Sequence, residues 1–494
     1  MLFQDEEKII REVLSGKRIF GISKEKHFSL WFKVVLRAAD IVEDRFPTKG
    51  LYMYPWYGLD FIKRVIRHLE ELLEETGHRE ERYPSLVPLS VFMKEKDFFE
   101  GFQGEAYLIT ETLRKERLDE PLVVRPTSET IMYPLWAKRI NSYKQLPIKI
   151  YQTVNVFRLE TKMTKPLLRL REVAFFNEAH TAHRNLEDAE RQVKEALNVY
   201  MRFYDDLAIP YFVIKTASWD TFPGALYNYD LITVLPDGKC LELGSVINLG
   251  QKFSRVFNIK FVDEKGKWEY VYQTCYGISE RAAGALIAIH GDDRGLVLLP
   301  EYAPIQIVIV PIFYSDEQRE IVMKKCIDIK KGLEKEYRVY FDDNMERTPG
   351  YKFHYWEMKG VPLRIEIGPR DVEKREITLF RRDLNIKEKV AKDLLFRKIR
   401  EVFSEFRENL RKRANEYFRE RVIIAKDIDD LKKYVKSEPV IIPVCGMEEC
   451  ADSIETDFET EVLGFIENFD EKLPETCIMC NYNAKHWALI GKTY

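Results

Sequence analysis

The stretch Asn155–His183, NVFRLETKMTKPLLRLREVAFFNEAHTAH, decides how this chain is read. Arg158, Glu160, Arg169, Arg171, Glu172, Glu178, His180 and His183 are set among Val, Phe, Leu and Ala in what reads as sheet. Apolar neighbours imply burial, and a buried charge is costly unless something offsets it. Either these groups pair with one another, or a charged ligand completes them.

Strand alternation puts Arg158 and Glu160 on one face. An arginine fork matches phosphate oxygens two at a time, and a carboxylate beside it can accept from an adenine amine. A second arginine, Arg281, lies in YGISERAAGALIAIHGDD, where RAAGALIAI reads as a buried helix of small and apolar residues. An arginine in a first helical turn, beside free N–H groups, makes an anion site. Either arginine alone is equally well a structural bridge between layers; the pair, with Glu160, points to a nucleotide site. In VVRPTSETIMYP, Thr127 and Glu129 flank Ser128. A hydroxyl and a carboxylate are what a cationic amino or imino group needs, although a helix cap with Glu in its first turn reads the same way. GDDRG reads as a tight turn capped by Asp292 and Asp293. His290 and His183 read as structural hydrogen bonders.

Bulk properties narrow the class. Four hundred and ninety-four residues suggest two to four domains. A charged fraction of 32% with 45% hydrophobic residues is that of a soluble globular protein. The net charge of −3 gives no overall basic field, so any nucleic-acid contact must be a local patch. No apolar run reaches the length of a membrane span, and the charged start MLFQDEEKIIREVLSGKR is unlike a secretory leader. Seven cysteines, three of them scattered, do not make a disulfide framework and fit a reducing cytoplasm.

Four segments are expected. Residues 1–45 read as a charged, irregular N-terminal extension. Residues 46–303 mix strands with two helices, one over Leu59–Thr76 stopped by Gly77 and one capped by Asn185. After Pro300 and Pro304, strand–helix–strand alternation marks a separate α/β domain over 304–400. A charged helix, roughly Lys387–Ala425, leads into a small cysteine module, 401–494 in all. There, Cys445 and Cys450 (C-x4-C) with Cys477 and Cys480 (C-x2-C) can close a tetrahedral thiolate site for structural Zn²⁺.

RPTSET, FRLE followed by LLRLREVAFFNEAHTAH, and YGISERAAGALIAIHGDDRGLVLLP together resemble the prolyl-tRNA synthetases of the archaeal and eukaryotic-like type, class II aminoacyl-tRNA synthetases. The resemblance runs over about residues 45–494. It implies an α/β multidomain fold: an antiparallel class II sheet flanked by helices, an α/β anticodon-binding domain, and a small zinc-type α/β module. It implies ATP, Mg²⁺ and Zn²⁺ as cofactors, proline and tRNA(Pro) as partners, and a homodimer with Pro84 at its interface.

By the same resemblance Arg158 and Arg281 are catalytic. Glu160, Arg169, Glu242, Ser245 and Ser279 join them around ATP. Phe102, Thr127, Glu129, Arg158, Phe176, Glu178, His180 and Ile247 surround the amino acid. Glu357 and Arg370 lie near the anticodon, and Tyr494 matches a C-terminal tyrosine whose carboxylate folds back on the catalytic domain. Lys162, Lys165, Arg169 and Arg171 are candidates for the tRNA acceptor end. Lys352, Lys359, Arg364 and Arg370, with Trp356, Tyr351 and Phe353 to stack on bases, are candidates for the anticodon loop.

One segment departs from the family pattern. In ELGSVINLGQ, Glu242, Ser245 and Ile247 stand where relatives carry Gln, Thr and His. Upstream, Leu226 and Ile232 replace residues that are often acidic. A carboxylate near a triphosphate needs a metal or arginine to offset it. Two alternatives stay open on the sequence: a paralogue that activates another amino acid, or a tRNA-binding protein without catalysis.

Overall fold

The computed structural model describes residues 2–15, 17, 20–160, 163–425, 427–480 and 482–494. Its centre is an antiparallel sheet. Strands Ile148–Phe157, Glu172–His183, Tyr272–Ile278, Cys240–Gly250, Tyr227–Val234 and Phe212–Lys215 lie side by side in that order. Arg79–Glu80 adds a short parallel strand outside Ile148–Phe157.

One face of this sheet carries three helices. Trp56–Glu75 buries a stripe of Phe61, Ile62, Val65, Ile66, Leu69, Leu72 and Leu73 at helical spacing, and ends where Gly77 takes φ +86°. Leu186–Asp206 starts at Asn185, whose side chain accepts from the Asp188 N–H at 2.8 Å. Arg281–His290 is buried throughout after its first residue. Its Gly284 lets a neighbouring loop close in: a Cβ there would lie 2.9 Å from Leu167 and from Leu168. The other face, partly roofed by the helix Glu129–Arg139 and by Phe92, Phe98, Phe102 and Phe253, is where the functional candidates gather.

The α/β region after Ile305 has the expected alternation. Its sheet runs Val339–Phe341, Ile307–Pro311, Leu363–Ile367, Glu376–Arg381, Ile386–Ala391, with the first three strands parallel and the last two antiparallel. The turn at Asp292–Gly295 forms as read, closed by reciprocal backbone bonds of 2.9 and 3.0 Å. Asp292 then clamps Arg382 of the α/β region through two bonds of 2.6 Å. His290 Nε2 donates to Leu207 O at 2.8 Å, as a structural hydrogen bonder.

Three sequence expectations fail. Residues 1–45 are not irregular: Leu2–Leu14 and Phe28–Ala38 are helices, and Trp31, Phe32, Val34 and Val35 are fully buried in the main core. Several of the charges that suggested irregularity pair between elements, Lys33 with Glu6 and Arg37 with Glu7 and Asp44. The long charged helix does not start at Lys387. Ile386–Ala391 pairs with Glu376–Arg381 as an edge strand, turned by Asn385 at φ +56°, and the helix is Leu395–Arg421. An edge strand rich in lysine mimics a helix face in composition. Finally, Arg158 and Glu160 do not alternate along a strand, because Ile148–Phe157 ends one residue before Arg158. The C-terminal module joins the edge of the catalytic sheet. Glu461–Ile466 pairs with Phe212–Lys215, and His486–Gly491, Val440–Val444 and Ile423–Ile424 continue outward, making one sheet of 11 strands.

Candidate functional site

Strand register assembles the site. Gln152, Glu178, Gly277, Ser245 and Asp230 are successive cross-strand partners in one row. Ile150, His180, Cys275, Ile247 and Asn228 form the next row on the same face. Residues scattered over more than 120 positions thus share one floor, because side chains on every second position point the same way.

Over that floor lie two buried carboxylates. Thr127 Oγ1 donates to Glu129 at 2.7 Å and is 3.5 Å from Glu178. Ser128 also donates to Glu178, and Gln152 Nε2 reaches both Ser128 and Glu178 at 2.9 Å. His180 Nε2 lies 3.5 Å from Glu178, while its Nδ1 is 3.0 Å from the Tyr133 hydroxyl. Burial alone would raise the Glu178 carboxyl; the bonds from His180, Ser128 and Gln152 outweigh it and hold Glu178 below its usual value. The Cys275 thiol goes the other way, pushed well up by burial and by the charges of Glu129 and Glu178.

Arg158 is held between two rings, 5.5 Å from Phe102 and 5.8 Å from Phe176, with Nε on Pro126 O at 3.1 Å. The Phe176 ring occupies the space above Gly277, where a Cβ would come within 2.9 Å of it. Glu160 pairs with Arg169 at 3.1 Å, and Arg171 donates to Glu160 O. At the other end of the strip Arg281 donates to Glu242 O at 2.8 Å and to Leu168 O at 3.2 Å, with the Glu242 carboxylate 3.9 Å away. Ser279 Oγ accepts from the Arg281 N–H, and Ser245 Oγ donates to Glu242 at 3.2 Å. Arg158 and Arg281 therefore border one strip of sheet, joined through Phe176, Gly277, Ser245 and Glu242. Asp230, beside Ser245 and bonded to Thr216 at 3.0 Å, is pushed up to about 7 by burial and by the Glu242 charge.

Cys445, Cys450, Cys477 and Cys480 converge, with sulfurs 3.5 Å apart for Cys450–Cys477 and 3.6 Å for Cys445–Cys480. Tetrahedral zinc with bonds of about 2.3 Å places thiolates about 3.8 Å apart, so the four fit Zn²⁺ with no open position. Glu129, His180 and Cys275 also bring ligand atoms within 4.8 Å of one another. That trio forms the floor of the carboxylate pocket, where Thr127 and Tyr133 already engage it.

A family profile for the tRNA synthetase class II core domain (G, H, P, S and T) matches residues 108–290. The anticodon binding domain profile matches 306–402, and the prolyl-tRNA synthetase C-terminal profile matches 428–494. A proline–tRNA ligase of Methanopyrus kandleri is 44% identical over 468 residues, covering 94% of this chain and 96% of that protein. One from Pyrococcus abyssi is 43% identical over 475 residues, covering 95% and 98%. The chain belongs to the prolyl-tRNA synthetases. A solved relative, Giardia lamblia prolyl-tRNA synthetase in complex with prolyl-adenylate, superposes with a TM-score of 0.92 at 31% identity, over 96% of this chain and 100% of that one.

Within this prolyl-tRNA synthetase the tRNA patches read from sequence are mostly interior. Lys165 sits among Phe28, Phe32 and Tyr494. Lys352 is buried on Asp342, and Lys359 bonds Asp40 at 2.6 Å. Trp356 is buried with its indole N–H on Asp342. Arg364 is enclosed by Glu357 and Glu366, and Glu357 itself is buried, with its second oxygen 3.5 Å from Arg294. Lys352, Lys359 and Arg364 found acids on neighbouring elements, and Lys165 found rings and hydroxyls, none of which spacing along the chain shows. Arg370 is exposed in the helix Pro369–Lys374. Lys162 lies outside the described residues. The sequence reading missed Gln152, Tyr133, Asp230 and Cys275. Alternation along their strands would have placed the last two on the floor.

Proposed function

We propose that this chain activates proline with ATP to form prolyl-adenylate and transfers the prolyl group to tRNA(Pro). The carrying observation is the pocket in which Glu129 and Glu178 lie buried together, joined by Thr127 and Ser128 and floored by Ile247 and Cys275. Two carboxylates in an apolar pocket call for a cation, and the secondary ammonium of proline supplies one with an apolar ring attached. Phe102 and Phe176 wall the ring side, with His180 orienting Glu178.

In the first step a proline carboxylate oxygen attacks the α-phosphorus and pyrophosphate leaves. Arg158, clamped by two rings, bridges the amino-acid carboxylate and the α-phosphate and meets the developing charge without reorganising. Glu160 accepts from the adenine amine, with Arg169 fixing it. Arg281 holds the far phosphates, its helix start set by Ser279. Glu242, Ser245 and Asp230 fit Mg²⁺ as oxygen donors beside Arg281; Mg²⁺ when bound neutralises phosphate charge. In the second step a ribose hydroxyl of tRNA attacks the carbonyl carbon of the prolyl-adenylate anhydride, forming the prolyl ester as AMP leaves.

Zn²⁺ held by the four cysteines serves structure. Glu357 and Arg370 mark the anticodon face, Arg370 by direct contact and Glu357 by holding Arg364 and Arg294. The working divisions are 1–45, 46–303, 304–400 and 401–494, with Pro84 and the half-exposed Leu86 at a homodimer face. Reduced thiols suit the cytoplasm.

ATP–pyrophosphate exchange across the twenty amino acids is the test. Proline-dependent exchange well above the rest is expected; exchange driven by another amino acid, or by none, overturns the reading.

A further inference from the structure

Lys165 lies in the loop that begins at Arg158, just past the strand Ile148–Phe157, and leads to the strand that carries Glu178. The loop doubles back on itself: Lys165 and Arg169 exchange backbone bonds of 2.9 and 2.8 Å, and Leu167 takes φ +63° at the tip. That tip is pinned. Leu167 and Leu168 are buried against Gly284, and Leu168 O accepts from Arg281. Arg169 at the turn's far side pairs with Glu160.

The Lys165 ammonium is enclosed by parts of the chain far from one another in sequence. It lies 4.7 Å from the Phe28 ring, 5.6 Å from Phe32 and 4.6 Å from Tyr494, and donates to Ser29 Oγ at 3.2 Å and Tyr494 OH at 2.7 Å. Tyr494 is fixed in turn: its N–H bonds Cys240 O at 3.2 Å, its hydroxyl bonds Asp237, and Lys239 faces its ring at 4.8 Å. Three ring faces and two hydroxyls replace the ammonium's hydration shell. A surface lysine of an RNA-contacting loop would not be built into such a cage.

We propose that Lys165 is a positioning residue for ATP: its cage, made by the N-terminal helix Phe28–Ala38 and the last residue of the chain, sets the 165–169 turn and through it Arg281 and the Glu160–Arg169 pair. Two peripheral segments thereby act on the nucleotide half of the site and leave the proline half alone. The inference rests on the ATP assignment above.

Steady-state exchange on Lys165→Met, Lys165→Arg, Tyr494→Ala and Tyr494→Phe, with melting curves, tests it. Lys165→Met raises KM for ATP at least tenfold while KM for proline stays within twofold. Lys165→Arg, which keeps a cation in the cage, stays within threefold of wild type. Tyr494→Ala follows Lys165→Met in direction, and Tyr494→Phe, which keeps the ring, falls between it and wild type. If Lys165→Met does not fold, Tyr494→Ala carries the same test. An unchanged KM for ATP, or equal rises for ATP and proline, overturns the inference while leaving the function standing. Wild-type protein without proline-dependent exchange defeats the functional reading instead.

Discussion

Arg158 and Arg364 are built alike and bonded differently. Each guanidinium lies between two phenylalanine rings, Phe102 and Phe176 for the first, Phe353 and Phe380 for the second. Around Arg364 the rings close to 4.3 Å on both sides, and Glu357 and Glu366 take its nitrogens at 2.8–3.0 Å. Around Arg158 the rings stand at 5.5 and 5.8 Å, and among the described residues its one guanidinium hydrogen bond is to Pro126 O. The difference teaches how to separate a structural arginine from a ligand-binding one. Aromatic clamping fixes the position in both cases; what remains for a ligand depends on how many of the five N–H donors the protein has already used.

Substitutions at the two sites break this contrast in opposite readouts. Arg364→Ala leaves Glu357 and Glu366 buried without their main partner and is expected to destabilise the fold by about 3–5 kcal/mol. A denaturation curve measures it, while exchange activity per folded molecule stays near wild type. Arg158→Ala is expected to do the reverse: proline-dependent exchange falls about 10²–10³-fold, with the unfolding midpoint close to wild type. A large stability loss at Arg158 with normal exchange in what folds would erase the distinction.

Smaller effects sharpen it. Cys477→Ser is expected to bring zinc, measured on reduced protein, from near one per chain to well below one. Because the module shares main-chain bonds with the catalytic sheet, the melting midpoint falls as well, by less than at Arg364. The smallest effect concerns pH. The Asp230 carboxyl is raised in the folded state to about 7, so the folded chain holds that proton more tightly than the unfolded one. Its stabilising contribution is complete below pH 4 and is lost as pH rises toward 7. Asp230→Asn is expected to flatten the pH dependence of the unfolding midpoint across that window; an unchanged slope would remove Asp230 from the account.

The catalytic half was legible in the sequence because its residues sit on strands and at helix starts, where period and capping have fixed meaning. Glu178 and His180 share a face by alternation, and Arg281 opens a helix of small residues. The α/β region was legible as elements and misread as a surface. Lys352, Lys359 and Arg364 look like an RNA patch in a list of residues, but their partners Asp342, Asp40 and Glu357 come from other elements, with Glu366 joining Arg364 from two residues along its own strand. Pairing across elements leaves no local signal. The same limit hid the helix Phe28–Ala38, whose apolar face had no visible counterpart until the core was assembled, and the edge strand Ile386–Ala391, whose lysines imitate a helix.

The shared eleven-stranded sheet has a consequence for how the chain is made. Strand Phe212–Lys215 finds its outer neighbour only in Glu461–Ile466, so the enzyme's central layer keeps a raw margin through the synthesis of everything between them. Completion of the catalytic half waits on residues made about 250 positions after Phe212, and a nascent chain stalled before Glu461 offers that margin to any passing strand.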